Sequence, residues 1–267
     1  MRSVIRSELI RIWRPTFLVG GLGVMAVAAG LVSVFIYTSA HDVSPTTGPI
    51  GGPSSGIPTV GQIAEPGGFL TALSTVSTLA GFVLLVVWAI AVANDYSSGL
   101  IRILVQAQPQ RVKLLTGKLI ALVLFTLVAT AATTLVVVLV AHPLARLEGI
   151  SVHAWKTDFF PHLFSGYFNF LVAGLVWGLI GAMLAELTHS SALAIGIGIG
   201  WLLVFEGLIG IAAPHASPYL PAGSLNALVM GGTTLISWAP ALGLVILYGA
   251  IAAVVAVLSF RTRDIVS

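Results

Sequence analysis

The sequence predicts an all-α integral membrane protein with six transmembrane helices, on three observations. Of its 267 residues, 57% are hydrophobic and only 8% charged, and the mean hydropathy is +1.05, outside the composition of soluble domains. Six apolar runs, at 17–39, 70–93, 119–141, 167–185, 192–213 and 238–260, reach the roughly 20 residues that a helix needs to cross a bilayer. None shows the alternation of a barrel strand, and unsatisfied backbone groups are too costly in hydrocarbon for these runs to be anything but helix.

Taken in order, residues 1–15 place Ile5, Leu9, Ile12 and Trp13 on one face, with Arg2, Arg6, Arg11 and Arg14 mostly around the other. That is the pattern of an interfacial helix, the alternative being a plain basic flank to the first crossing. Pro15 is expected to end or bend it. The first crossing is too long for the apolar region of a signal peptide and is not followed by a convincing cleavage site, so we expect it to be retained. Residues 40–68, rich in Gly, Pro, Ser and Thr, are expected to form a flexible outer loop with no core of its own.

Between the second and third crossings, residues 94–118 read NDYSSGLIRILVQAQPQRVKLLTGK. Leu100, Ile103, Leu104 and Ala107 share one helical face while Arg102 and Gln106 point elsewhere, which predicts a short amphipathic helix along the membrane surface. Pro109 suits the first position of a new helix, because its missing N–H is not needed there. Farther along, 142–162 carries Trp155, Phe159 and Phe160 and suits the interface, and 214–236 has enough Leu, Val and Met to dip back toward the membrane. Only 186–190 separates the fourth and fifth crossings, which must therefore form a tight hairpin.

Charge sets the expected orientation. Arg2, Arg6, Arg11, Arg14, Arg102, Arg111, Lys113, Lys118, Arg261 and Arg263 flank one side of the crossings, whereas Arg146 and Lys156 fall on the other. Both termini are thus expected to be cytoplasmic, in one multi-pass domain spanning 1–267 of a bacterial cytoplasmic (inner) membrane. The pI near 9.5 needs no nucleic acid to explain it, since anionic membrane lipid suits these cations. With no cysteine there is no thiol or disulfide chemistry.

Few residues invite chemistry. Glu206 lies within the fifth crossing, roughly 10 Å below its outer boundary at 1.5 Å per residue. It is expected to be protonated, paired or facing a wet cavity, either as a pathway group or as a hydrogen-bonded packing residue near a bend. Gly196 and Gly200 have the spacing that lets another helix approach closely, within the chain or from a second subunit. Asp95 can cap the amphipathic helix or pair with a basic group on a partner protein. Phe82, Trp88, Trp177, Trp201 and Phe205 are candidate cavity aromatics, with lipid-facing or packing roles as the alternative. His142, His153 and His162 match no metal spacing, so no metal site is expected. Thr116–Lys118 is no phosphate loop, because Val112 and Leu119 replace the required Gly and Ser or Thr. No serine-protease arrangement or buried proton relay is visible, and no catalytic residue is assigned.

The stretch from Asp95 to Leu100 (D-Y-S-S-G-L), its leucine-rich continuation, Q-P-Q-R at Gln108 to Arg111 and G-K-L at Gly117 to Leu119 resemble the permease subunits of type-2 ABC transporters, an exporter-like superfamily. The family run is E-x-x-x-G-T, leucines, P-x-R and G-K. Asp95 stands where Glu is usual and Leu100 where Thr is usual, with the register kept. The N-terminal Glu8, Arg11, Trp13 and Arg14, and the hairpin from Gly178 to Ala194, are also similar.

The resemblance implies an ATP-driven exporter permease that is not itself an enzyme. Two such subunits, identical or related, would form a pathway, and two cytoplasmic ATP-binding subunits carrying ATP and magnesium would dock on the amphipathic helix, now a coupling helix, and on the interfacial helix. Asp95, Gly99, Arg102, Pro109, Arg111 and Lys118 would transmit their motion. The second and fifth crossings would face the pathway, making Glu206, Phe205 and Phe82 its lining candidates. The competing readings are an ion-coupled secondary transporter using Glu206 and a membrane scaffold without transport activity.

Overall fold

A helix satisfies its backbone with near neighbours, so it continues past the apolar run that marks it in a hydropathy reading. The computed structural model, which describes residues 7, 10–11, 15–40, 58–97 and 111–262, shows this at the second, third and fourth crossings. Its helices are α1 Pro15–Thr38, α2 Val60–Ala64, α3 Thr71–Ser97, α4 Arg111–Leu147, α5 Phe159–Thr188, α6 Ser191–Ala212, α7 Pro221–Val229 and α8 Trp238–Thr262. Six of them, α1, α3, α4, α5, α6 and α8, are long and apolar enough to cross a membrane. The chain is therefore a multi-pass membrane protein, with no strand among the described residues beyond an isolated Gly232–Ser237 bridge.

The largest departure from the hydropathy boundaries is α4. At 37 residues it is about 55 Å long, against a hydrocarbon core of about 30 Å. It therefore carries Lys118 at one end and Arg146 at the other. The expected loop 142–162 shrinks accordingly, and its centre forms a 3-10 turn at His153–Lys156. The tight hairpin is present: His189 ends α5 in the left-handed region at φ 54°, and the Ser190 hydroxyl caps α6 by accepting from Leu193 N–H.

The far end of the stretch expected to be flexible is packed instead. Thr59 and Gln62 form a reciprocal capping box that starts α2, Ile63 is fully buried, and the Trp155 indole donates to its carbonyl at 2.8 Å. Tyr37 donates to Gly68 O at 3.2 Å. Averaging composition over 40–68 hid these few apolar anchors; 41–57 lie outside the described residues.

The bundle is organised around α3 and α5, in which 61% and 56% of the membrane-window residues are buried, against 22% for α6. Glycines permit the closeness. Trp177 of α5 lies over Gly81 of α3, where a Cβ would meet it at 2.4 Å, and Trp88 of α3 lies over Gly178 of α5 at the same separation. One turn on, a Cβ on Gly181 would lie 2.3 Å from the Leu85 carbonyl oxygen. Side chains can shift but a backbone carbonyl cannot without moving its helix. Gly178→Ala should thus destabilise by about 1–3 kcal/mol, and Gly181→Ala by at least the upper end of that range. Gly196→Ala, with open space around it, should stay within about 0.5 kcal/mol. Unfolding midpoints of the three variants in a denaturing-detergent titration check the order, and equal midpoints for Gly181→Ala and Gly196→Ala would refute this packing.

Candidate functional site

At one membrane face the ends of α3 and α4 are joined by charge. Asp95 sits two residues before the end of α3, where the helix dipole disfavours an anion. Cations offset this. Arg11 Nη2 donates to Asp95 Oδ1 at 2.6 Å, and Lys118 Nζ donates to Oδ2. Lys118 also donates to Ala91 O at 2.8 Å, a carbonyl near the negative end of α3. Asp95 is 3% exposed and Lys118 6%, so the pair is shielded from solvent and charge pairing there is stronger than on a surface. The Asp95 carboxylate is thus paired within the chain.

The next residue, Tyr96, ties the same helix end to α5 and α8. Its hydroxyl donates to Glu186 Oε2, its ring meets His189 edge-on at 4.4 Å, and Ser259 Oγ donates to Glu186 O at 3.3 Å. Glu186, 2% exposed, escaped sequence reading because it falls in the short polar hairpin, where an acid draws no notice. Glu8, Trp13, Arg14, Gly99, Arg102 and Pro109 lie outside the described residues, as does the side chain of Arg111. What the structure brings together is Arg11, Asp95 and Lys118, and they hold both flanks of 98–110.

Glu206 occupies a π-helical turn, Trp201–Glu206, within α6. Its Oε2 accepts from Ala222 N–H at 3.0 Å and Gly223 N–H at 3.4 Å, and its Oε1 from the Trp201 indole at 2.8 Å. The reason lies in α7. Leu220 at its N-cap has no side-chain acceptor and Pro221 at N1 has no N–H, so the next two amides need an acceptor from elsewhere. Gly223 must be glycine, since a Cβ would overlap Ser217 O at 1.9 Å. Glu206 therefore caps a short helix that packs beside α3, α5 and α8.

Glu206 also borders a 220 Å³ apolar cavity walled by Leu85 of α3, Trp177 and Met183 of α5, Trp201 of α6 and Tyr248 of α8. The other two lining candidates are elsewhere. Phe82 stacks on Trp177 at 5.9 Å without reaching the cavity, and Phe205 is 51% exposed, stacked on Trp201 at 4.6 Å. Trp88 is buried in the core, donating to Thr126 Oγ1 at 3.0 Å. Among the described residues nothing lies within 4 Å of where a Cβ on Gly196 or Gly200 would sit. Gly198 of α6 lies against Leu85.

Among the described residues no group of three or more His, Asp or Glu could hold a metal ion. No curated protein matches the chain. A family model does, over residues 57–266, a span that contains five of the six crossings and the flanking residues Asp95 and Lys118 together with the Glu206 cap. The chain belongs to the DUF2705 family, described as a protein of unknown function.

Proposed function

We propose that this chain is the membrane-spanning permease subunit of an ATP-driven ABC exporter, working as a dimer with two separate cytoplasmic ATP-binding subunits. The observation that carries the reading is the Arg11–Asp95–Lys118 cluster. It links the N-terminal segment to both flanks of 98–110, the stretch with the family-like motif, so a push on either would be delivered to α3 and α4 as one unit. A segment anchored at both ends by buried charge transmits force, whereas a loose loop absorbs it.

The cavity between α3, α5, α6 and α8 supports the same reading, since it lies where the second and fifth crossings meet. The open glycine face of α6 at Gly196 and Gly200 offers a surface on which a second permease subunit can pack closely. In this arrangement the Asp95 face is cytoplasmic, as the basic flanks require. Chemistry stays in the partner, and this chain supplies the pathway and the coupling.

The test is co-purification. The tagged chain extracted from its native membrane in mild detergent should bring an ATP-hydrolysing protein with it. Arg102→Glu combined with Arg111→Glu should reduce that recovery at least tenfold while leaving the unfolding midpoint of the permease unchanged. A wild-type chain recovered alone, without ATPase activity, from membranes in which other transport complexes survive extraction would end this reading.

A further inference from the structure

The charge pattern leaves Arg146 and Lys156 on the face opposite the Asp95 cluster, and folding brings the two together. Both line one cleft of 740 Å³, with His142 and His153 and without any carboxylate in the lining. Neither cation has an ion-pair partner among the described residues. The cleft wall is aromatic and rigid. Phe69 stacks on Phe159 at 4.7 Å and meets Trp155 edge-on at 6.1 Å, and Trp155 is pinned by its bond to Ile63 O.

Depth places this cleft among lipid headgroups. Arg146 follows Lys118 by about 42 Å along α4 at 1.5 Å per residue, and a bilayer measured through its headgroups is about 40–45 Å thick. A second groove, of 500 Å³, begins where the first ends, at Val138, and runs between α4 and α5. Its walls are apolar: Leu135 is 57%, Phe160 78% and Phe164 71% exposed. Within it lies Thr134, buried, whose hydroxyl has no hydrogen-bond partner among the described residues. From Thr134 to Arg146 is about 18 Å along the helix, a span suited to a lipid chain lying below its headgroup.

We propose that the joined cleft and groove bind one anionic phospholipid, its phosphate held by Arg146 and Lys156 and an acyl chain laid along Leu135, Phe160 and Phe164. A free anion has no use for the apolar groove. A zwitterionic lipid would bring an ammonium group to a lining with two cations and no acid to receive it. The site does not depend on the transport reading, since a scaffold could carry it equally well.

Titration of the purified full-length chain in mild detergent, followed by native mass spectrometry, would test this with phosphatidylglycerol, phosphatidylcholine and inorganic phosphate as separate probes. Phosphatidylglycerol should bind at least tenfold more tightly than phosphatidylcholine, and millimolar phosphate should fail to displace it. Arg146→Gln with Lys156→Gln should weaken binding about thirtyfold, each cation near a membrane surface contributing about fivefold. Ala131→Trp, which fills the groove from an exposed position, should weaken it with both cations intact. Either single glutamine variant serves if the double variant does not fold. Equal affinity for the two lipids, displacement by phosphate, or unchanged binding by the glutamine variants would each overturn the proposal.

Discussion

Asp95→Ala should destabilise the folded bundle by about 3–5 kcal/mol, the usual penalty for breaking a buried ion pair from one side. The substitution removes the carboxylate that Arg11 and Lys118 share and leaves the Lys118 ammonium in a site only 8% exposed at its side chain. Arg11, at 31%, can turn to water, so the penalty falls mainly on Lys118. Arg11→Ala should therefore be mild, about 1 kcal/mol, in line with a partly exposed pair. Lys118→Met should come close to Asp95→Ala. Removing both charges as Asp95→Leu with Lys118→Met should recover much of the loss, since an apolar pair no longer pays for desolvation.

A denaturing-detergent titration of the four variants, with Asp95→Leu alone added to close the cycle, measures these differences. If Asp95→Ala unfolded within about 0.5 kcal/mol of wild type, the cluster would have no structural weight. The permease reading would then lose its mechanical link. The same variants separate stability from coupling: Arg11→Ala, which keeps most of the stability, should still uncouple any bound ATPase from the membrane helices.

The second large effect concerns Glu206. Glu206→Ala should cost about 2–4 kcal/mol, because it strands the Ala222 and Gly223 amides and the Trp201 indole in apolar surroundings, and a buried donor left without its acceptor costs about 1–3 kcal/mol. The loss should be local. Amide exchange at 222–224 should accelerate at least tenfold while exchange in α3 and α5 stays slow. Glu206→Gln keeps one acceptor oxygen and should fall between the two. Unchanged exchange in Glu206→Ala would show that α7 holds its position without the carboxylate. A carboxylate already engaged by three donors is a positioning group in this structure, which weighs against the ion-coupled reading.

Several features were legible in the sequence for simple reasons. The six crossings were visible because hydrocarbon demands about 20 apolar residues in a row and a helix to satisfy their backbone. For α8 the expected run 238–260 and the observed Trp238–Thr262 nearly coincide, since the run starts just past the Gly231–Gly232 turn and ends at Arg261. The hairpin at 186–190 was visible because five residues leave no other geometry. Boundaries failed at α4 and α5, which stay helical well past the apolar runs that mark them.

Side-chain partners were not legible. Asp95 and Glu206 were noticed as acids in the wrong place, yet nothing local says that Asp95 meets a residue 84 positions earlier or that Glu206 caps amides 16 and 17 positions later. Gly196 and Gly200 have open space around them, while Gly81, Gly178 and Gly181 carry the close packing without standing out in a glycine-rich chain. Hydropathy and helical period are properties of neighbours along one chain, so the sequence alone determined the number of crossings and the polarity of their flanks. Which helices touch, which charges pair and where cavities remain depend on distances between residues far apart in order, and only the tertiary structure decided those.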